Sequence, residues 1–300
     1  MAIRAKPPAE VAIDPSLVRA LIQEQHPDLA HLALNGIGEG WDNRLFRLGE
    51  QLVVRVPRRA VSATLIEQEQ RWLPRLSPSL PLPVPVPIRL GRPGCGFPWS
   101  WSVVPWFPGQ SALCEPLRDP LTAAAALGEF LRALHQPAPP DAPHNPWRSV
   151  PLAARANILR EHLQQVDGLV DRVAVLALWE RVLSAGPWAG PPLWIHGDLH
   201  PSNLLLSGGR LTAVLDFGDL AAGDPATDLS VMWMWLPPSA RSTLRTSARG
   251  DLDPIDDDTW MRARGWALAL GLAYLATSGD EELMGALGRA TIDAVLKDNS

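Results

Sequence analysis

Three oxygen-bearing side chains in the second half of the chain, Asp198, Asn203 and Asp216, stand in an order and spacing that suit phosphoryl transfer. Asn203 follows Asp198 by five positions, and Asp216 opens a D-F-G triplet with Phe217 and Gly218. That reaction holds a hydroxyl nucleophile, a terminal phosphate and a divalent cation together, and leaves little covalent work to the protein. A carboxylate at position 198 would accept and orient the hydroxyl. The amide oxygen of Asn203 and the carboxylate of Asp216 suit Mg²⁺, a hard cation that takes oxygen ligands and keeps part of its water.

The sequence around these residues says how they would be presented. Leu204-Leu205-Leu206 and Ala213-Val214-Leu215 are short apolar runs, and Ser207-Gly208-Gly209-Arg210 between them is a turn signal, so a β-hairpin is predicted. Asn203 enters its first strand and Asp216 leaves its second, both at the open end. Asp and Asn are ordinary turn residues, and a D-x-x-x-x-N spacing alone carries little information. With His196 two residues ahead of Asp198, the hairpin between, and D-F-G-D after it, the combination is far harder to reach by chance.

The segment His196-Gly-Asp-Leu-His-Pro-Ser-Asn203, followed by Leu215-Asp-Phe-Gly-Asp219 and Gly223-Asp-Pro-Ala-Thr-Asp228, resembles the aminoglycoside phosphotransferase-like kinases, relatives of the eukaryotic protein kinases. The resemblance extends, more weakly, over most of the chain. It implies an α+β, bilobal, protein-kinase-like fold. Residues 1–104 would form a small β-rich N-lobe with one main helix, and residues 105–300 a larger, mostly helical C-lobe. It also implies ATP or GTP bound with Mg²⁺ between the lobes, and a small-molecule hydroxyl acceptor placed against Asp198. His196 is then expected to brace the catalytic loop and Asp228 to hold it by hydrogen bonds. Asp219 is a second metal candidate, ranked below Asp216.

Upstream, Asp14-Pro15 reads as a helix cap with proline at the first helical position, ahead of an apolar stripe of Leu17, Val18, Leu21 and Ile22. Leu32–Ile37, Arg44–Leu48 and Leu52–Val56 read as strands, and Gly36-Ile37-Gly38-Glu39-Gly40 as a glycine loop between the first two. Glycines let backbone N–H groups approach phosphates, though any tight turn uses them too. Followed by Asn43 and a strand, the loop looks like the phosphate-covering loop of the family, with Gly38, Gly40 and Asn43 as nucleotide contacts. In the third strand Arg55 stands where such kinases carry lysine. Arginine keeps the charge and can grip phosphate oxygens bidentately, but its planar fork is not equivalent to an ammonium. Arg58 and Arg59 read as solvated turn residues.

A helix is predicted over Val61–Leu76, in which the family spacing makes Glu69 the partner of Arg55, with Glu67 the alternative. The plain reading of Glu69 is an exposed helix carboxylate. Pro78–Pro87 is an extended connector, and Ile88–Leu90 and Trp99–Val104 complete a five-stranded lobe. The chain then crosses at Val104-Pro105-Trp106, where the resemblance implies an adenine pocket lined by backbone groups of Val104 and Trp106. Packing of Trp106 between lobes is the alternative.

Beyond the crossing, helices are expected over Leu121–His135, Leu152–Val166 and Arg172–Leu183, with a proline-rich loop over Gln136–Pro146. His135 reads as a packed structural histidine. Another helix is expected from Gly223-Asp224-Pro225, and two more over Thr259–Thr277 and Glu281–Leu296. The acidic residues Asp251, Asp253, Asp256, Asp257 and Asp258 could attract a polycationic amino sugar. A helix cap at Asp256 with the others solvated is the favoured reading.

Composition narrows the classes. Three hundred residues, 46% hydrophobic, suit one large domain or two lobes with a sizeable core. A net charge of −5 with no basic stretch argues against nucleic acid as the main partner. No signal-like leader or long uncharged apolar run points to a membrane. Cys95 and Cys114 make no disulfide framework, so a reducing cytoplasm is expected. Lysine occurs only at Lys6 and Lys297, and most of the 13 tryptophans fall among aliphatic residues, as core residues do. The acceptor implied is an aminoglycoside or related compound, although macrolide, choline, homoserine and methylthioribose kinases share the fold. A non-catalytic nucleotide-binding regulator is the competing class, to which Arg55 points. A protein kinase is disfavoured because no A-P-E follows D-F-G.

Overall fold

A computed structural model describes residues 7–249, 255–278 and 282–298. Asp14 caps the first helix, α1 (Pro15–Gln25), by accepting the Leu17 N–H at 2.8 Å, and Pro15 fills the first turn, where no donor is needed. Its buried stripe of Val18, Leu21 and Ile22 packs on one face of an antiparallel sheet, against Phe46, Leu48, Val54 and Val103. The sheet comprises β1 (Leu34–Glu39), β2 (Asn43–Leu48), β3 (Leu52–Pro57), β4 (Arg89–Gly91) and β5 (Trp101–Pro105), in the order β1-β2-β3-β5-β4. Strand alternation sends Arg55 to the other face. There helix α2 (Ala60–Leu76) lies, with Gln70 Nε2 donating to Ser102 Oγ at 3.0 Å and to the Trp101 carbonyl at 2.8 Å.

The glycine run differs from its expected form. Gly36 and Gly38 are not in a loop but in β1, opposite Phe46 and Leu45, with a bulge between them. Since both remain paired to β2, only residues 40–42 are left to turn, and Gly40 donates its N–H to the Asn43 carbonyl at 2.8 Å. The flap is therefore a two-stranded ribbon with glycine along one edge.

After β5 come β6 (Gln110–Ser111), α3 (Pro120–Leu134), α4 (Ala156–Gln165) and α5 (Arg172–Leu183). A pair of strands, β7 (Leu193–Ile195) and β10 (Ala221–Gly223), brackets the hairpin of β8 (Leu204–Ser207) and β9 (Arg210–Val214). The helix expected from Gly223 is broken into α6 (Ala226–Leu229), α7 (Val231–Trp235) and α8 (Pro238–Ser247), the last beginning where Pro237 and Pro238 forbid continuation. Helix α9 (Asp257–Thr277) is capped by Asp256, which accepts the Thr259 N–H at 2.7 Å; Asp251 and Asp253 lie outside the described residues. Helix α10 (Glu282–Lys297) packs along α9. Trp72 and Leu73 of α2 join the core of this helical region rather than that of the sheet, with the Trp72 ring 4.9 Å from that of Trp194. One face of α2 thus carries Glu69 to the sheet while another anchors the sheet to the helices. No described helix is long and apolar enough to cross a membrane.

Candidate active site

The β8–β9 hairpin turns at Gly208 and Gly209, with φ of 60° and 74°, the double positive-φ geometry that glycine adopts without a Cβ clash. Its open end is closed by the Leu215 N–H donating to the Asn203 carbonyl at 2.8 Å. Asn203 and Asp216 consequently emerge beside each other, as the spacing predicts. Asp216 has φ 60°, uncommon for a residue with a Cβ, and its side chain is 58% exposed.

Asp198 sits on the loop between β7 and β8. Its carbonyl accepts from Asn203 Nδ2 at 2.8 Å, and its N–H donates to His196 Nδ1 at 3.3 Å. That bond fixes the tautomer of His196, so its Nε2–H donates to the Leu215 carbonyl at 2.9 Å. Buried His196 therefore ties the Asp198 loop to the residue before Asp216 and does not reach open space. At the start of the loop, fully buried Asp228 accepts the N–H groups of His196 at 2.7 Å and Gly197 at 2.9 Å, with His135 Nε2 at 3.1 Å. Gly197 (φ 84°) has no room for a side chain, because a Cβ would come within 2.4 Å of the Asp219 carbonyl.

The Asp198 carboxylate has two further partners that spacing did not reveal. Arg148 Nη2 donates to Oδ1 at 2.6 Å, and His200 Nε2 lies 3.2 Å from Oδ2. Burial pushes this carboxyl up, but Arg148 and then His200 outweigh it and hold Asp198 well below the ordinary carboxylate range. Neighbouring Asp219 accepts from Asn145 Nδ2 at 2.6 Å and lies 4.0 Å from Arg148 Nε. Burial there prevails, and Asp219 is pushed up to about 6. The two carboxyls thus titrate in different ranges, Asp219 taking up a proton as pH falls through about 6 while Asp198 stays ionised.

Across the sheet, Arg55 Nη1 meets Glu69 Oε2 at 2.5 Å and its Nη2 reaches Asp216 Oδ1 at 3.3 Å. Glu69 is completely buried, not an exposed helix carboxylate, and burial pushes it up to about 7 against the pull of Arg55. Glu67 instead accepts from Ser100 Oγ at the surface. Arg58 is not a solvated turn residue either: it is 4% exposed and donates to the Trp41 carbonyl at 3.0 Å, with Glu39 Oε1 2.5 Å from its Nη2, latching the flap from below.

A cavity of about 1550 Å³ opens beside Asp216, and Arg55, Glu69, Gly38, Gly40 and Asn43 do not line it. Trp41 of the flap and Leu65 of α2 line it on one side, Asp198, Asn203, Asp216 and Asp219 at its base, and Tyr274 and Met284 on the far wall. Asn43 stands at the foot of the flap with a buried Oδ1 that has no protein partner. Val104 and Trp106 are not brought to this cavity. Val104 is paired with Val53 in the sheet; the Trp106 N–H is taken by the Gln51 carbonyl at 2.7 Å, and its ring lies under Arg47, 3.9 Å from the guanidinium carbon. Of the tryptophans, Trp41, Trp106 and Trp147 depart from the core expectation in being exposed, and Trp41 and Trp147 line the cavity.

The donor set fits Mg²⁺. Asn203 gives Nδ2 to the Asp198 carbonyl, which leaves Oδ1 as its second amide group, and Asp216 opens onto the cavity. Among the described residues no cluster of three or more His, Cys, Asp or Glu could hold an ion by itself. Two protein oxygens, completed by phosphate and water, are what Mg²⁺ ordinarily takes.

A sheet backed by an arginine–carboxylate pair, facing a catalytic-type loop and a D-F-G hairpin across a cavity, defines a kinase-like phosphotransferase. The chain belongs to the phosphotransferase enzyme family, whose model matches residues 33–266. No curated protein matches its sequence. Similar solved structures include wild-type aminoglycoside 2'-phosphotransferase-IIIa in its GDP complex, with TM-score 0.69, 21% identity, and coverage of 94% of this chain and 99% of that one. The apoenzyme of macrolide 2'-phosphotransferase MphH from Brachybacterium faecium gives TM-score 0.62 and 22% identity over 92% and 97% of the two chains. The streptomycin–ATP ternary complex of APH(2")-IIa gives 0.60 and 18% over 92% and 95%. At these identities the likeness is one of fold.

Proposed function

We propose that this phosphotransferase passes the γ-phosphate of ATP or GTP to a hydroxyl of a small molecule seated against Asp198, with residues 1–104 covering the nucleotide and residues 105–300 carrying the catalytic loop and acceptor wall. The observation that carries the reading is the cavity shared by an ionised Asp198 and the oxygen donors Asn203 and Asp216. Each Asp198 oxygen keeps a lone pair beyond its bond to Arg148 or His200, so the carboxylate accepts the acceptor's O–H and takes its proton as the new O–P bond forms. The bond from the γ-phosphorus to the diphosphate oxygen breaks, and the nucleoside diphosphate leaves with that electron pair. Asn203 and Asp216 would hold Mg²⁺, which when bound neutralises charge on the phosphate oxygens. Arg55, fixed by Glu69, keeps a cation beside Asp216, and the formed pair supports catalysis over a purely regulatory role.

Asp198→Ala is expected to lower kcat by about 10²–10⁴ while leaving nucleotide affinity in place. Turnover at the wild-type rate would overturn the assignment. Asp216→Ala is expected to abolish the Mg²⁺ dependence of nucleotide affinity, read by titration at several Mg²⁺ concentrations; an unchanged dependence would remove Asp216 from the metal site.

An aminoglycoside or related hydroxyl compound is the acceptor implied by the resemblance, and the solved structures with similar folds include aminoglycoside and macrolide enzymes. The far wall of the cavity is largely uncharged. Among its described residues Leu270, Ala273, Tyr274 and Met284 are uncharged and Glu282 is a carboxylate, while Arg59, Arg148 and Arg155 face the same space as Asp42, Asp198, Asp216 and Asp219.

A further inference from the structure

Among the described residues five arginines are less than a tenth exposed, and four of them have an oxygen to bind. Arg55 has Glu69, Arg58 has Glu39, Arg262 has Asp224 at 2.7 Å, and Arg264 has the Val295 carbonyl at 3.0 Å. Arg155, 8% exposed, donates to nothing among the described residues, and its Nε is sealed from solvent without a partner. It ends the turn Leu152–Arg155 before α4, rests 5.9 Å from the Trp266 ring of α9, and lines the cavity that contains Asp198.

A buried guanidinium with no counter-charge is costly to keep, and arginine does not escape the cost by losing its proton near neutrality. Burial first, and the like charge of Arg148 second, push Arg155 down to about 10, so it remains a cation. Arg148 cannot be relieved of its own duties, being held by Asp198 and Asp219. A second donor waits on the same wall. The Tyr274 hydroxyl is buried with no partner, and burial together with the charge of Asp198 keeps it protonated.

Resting on the reading of this cavity as the seat of a phosphate acceptor, we propose that Arg155 anchors an anion subsite, and that the acceptor is a hydroxyl compound bearing a carboxylate or phosphate group. The anion neutralises Arg155 and accepts from Tyr274, while the body of the molecule lies over Leu270 and Ala273 of α9. Its hydroxyl is thereby directed to Asp198. A polycation would leave Arg155 without a counter-charge.

The test is a panel of hydroxycarboxylates and hydroxyalkyl phosphates, each paired with its neutral ester or alcohol, with kanamycin and erythromycin alongside, assayed for ATP consumption with Mg²⁺. At least one anionic member is expected to be phosphorylated and its neutral twin not. Arg155→Gln should raise KM for that acceptor at least tenfold with kcat changed less than threefold, and Arg155→Lys should recover part of the loss. Turnover confined to neutral or cationic acceptors, or an anionic acceptor whose KM ignores Arg155→Gln, overturns the proposal. Carboxylate and phosphate arms separate the two sources of the anion. Failure of the kinase reading would appear separately, as absence of Mg²⁺-dependent ATP binding. In that event saturable quenching of tryptophan fluorescence by inorganic phosphate or malate, present in the wild type and lost in Arg155→Gln, supports the subsite; equal quenching in both proteins, or none, overturns it.

Discussion

Between His196 and Asp219 every buried side-chain nitrogen and oxygen has a partner, whereas the wall across the cavity leaves Arg155 Nε and the Tyr274 hydroxyl with none. The first region is a loop and a hairpin; the second is the turn before α4 and one face of α9, and both belong to the helical part of the chain. In the first, Asp228, His196 and Asn203 spend their hydrogen bonds on backbone, fixing where Asp198 and Asp216 stand before any ligand arrives. In the second, charge is left over. A preorganised catalytic framework costs nothing further on binding, while a wall with unspent donors keeps its energetic return for the molecule that supplies the missing acceptor.

The sharpest way to break this contrast is to remove one residue from each side. Asp228→Ala leaves two loop N–H groups and His135 without an acceptor in a fully buried site, and a loss of about 3–5 kcal/mol is expected from denaturant unfolding. Arg155→Met deletes an unpaired buried charge and is expected to be neutral or to stabilise by about 1–2 kcal/mol. Similar losses in both variants would mean that Arg155 is structurally satisfied and that the two regions do not differ.

Arg148 belongs to both regions, since it rises from the wall to grip the base. Arg148→Met removes the main counter-charge of Asp198, and an opposite charge at such a distance lowers a carboxyl by about 1–3 pH units. The acid limb of the kcat profile is expected to move up by about that amount, with activity retained at pH 8. A limb that stays in place would show that His200 suffices.

The framework was legible because its chemistry is local. Asp198, Asn203 and Asp216 are joined by a hairpin whose strands and glycine turn can be read from a short window, and the His196 and Asp228 braces fall within the same stretch. The wall was not legible. Arg148 follows a proline-rich loop with nothing around it to distinguish it from a surface arginine, and only the Asn145 turn, folded by contact with Asp219, aims it at a residue 50 positions away. Arg155 was hidden in the same way. His200 stood inside the motif and was overlooked because spacing says nothing about a side chain that reaches back. The flap shows the opposite case: glycines suggest a loop, yet pairing with β2 holds Gly36 and Gly38 in a strand. The Trp106 N–H is taken by the Gln51 carbonyl, a contact between residues 55 positions apart that no local window shows.

Glu69 lies between the two extremes, with Oε2 bound to Arg55 and Oε1 buried without a hydrogen-bond partner. Its proton affinity is a graded measure of how far a half-satisfied carboxylate has been compensated. Burial raises it from an ordinary 4.5 to about 7 despite Arg55. Between those pH values the folded chain holds a proton that the unfolded chain has released. The stability drawn from this group is therefore full below pH 4.5 and is lost as pH rises through 7. Glu69→Gln cannot ionise and has no such slope. Urea midpoints measured from pH 4.5 to 8 should show the wild type losing stability relative to Glu69→Gln up to about pH 7 and running parallel to it above. Curves that are parallel throughout would mean that Arg55 compensates the carboxylate completely, placing Glu69 with the satisfied framework rather than with the wall.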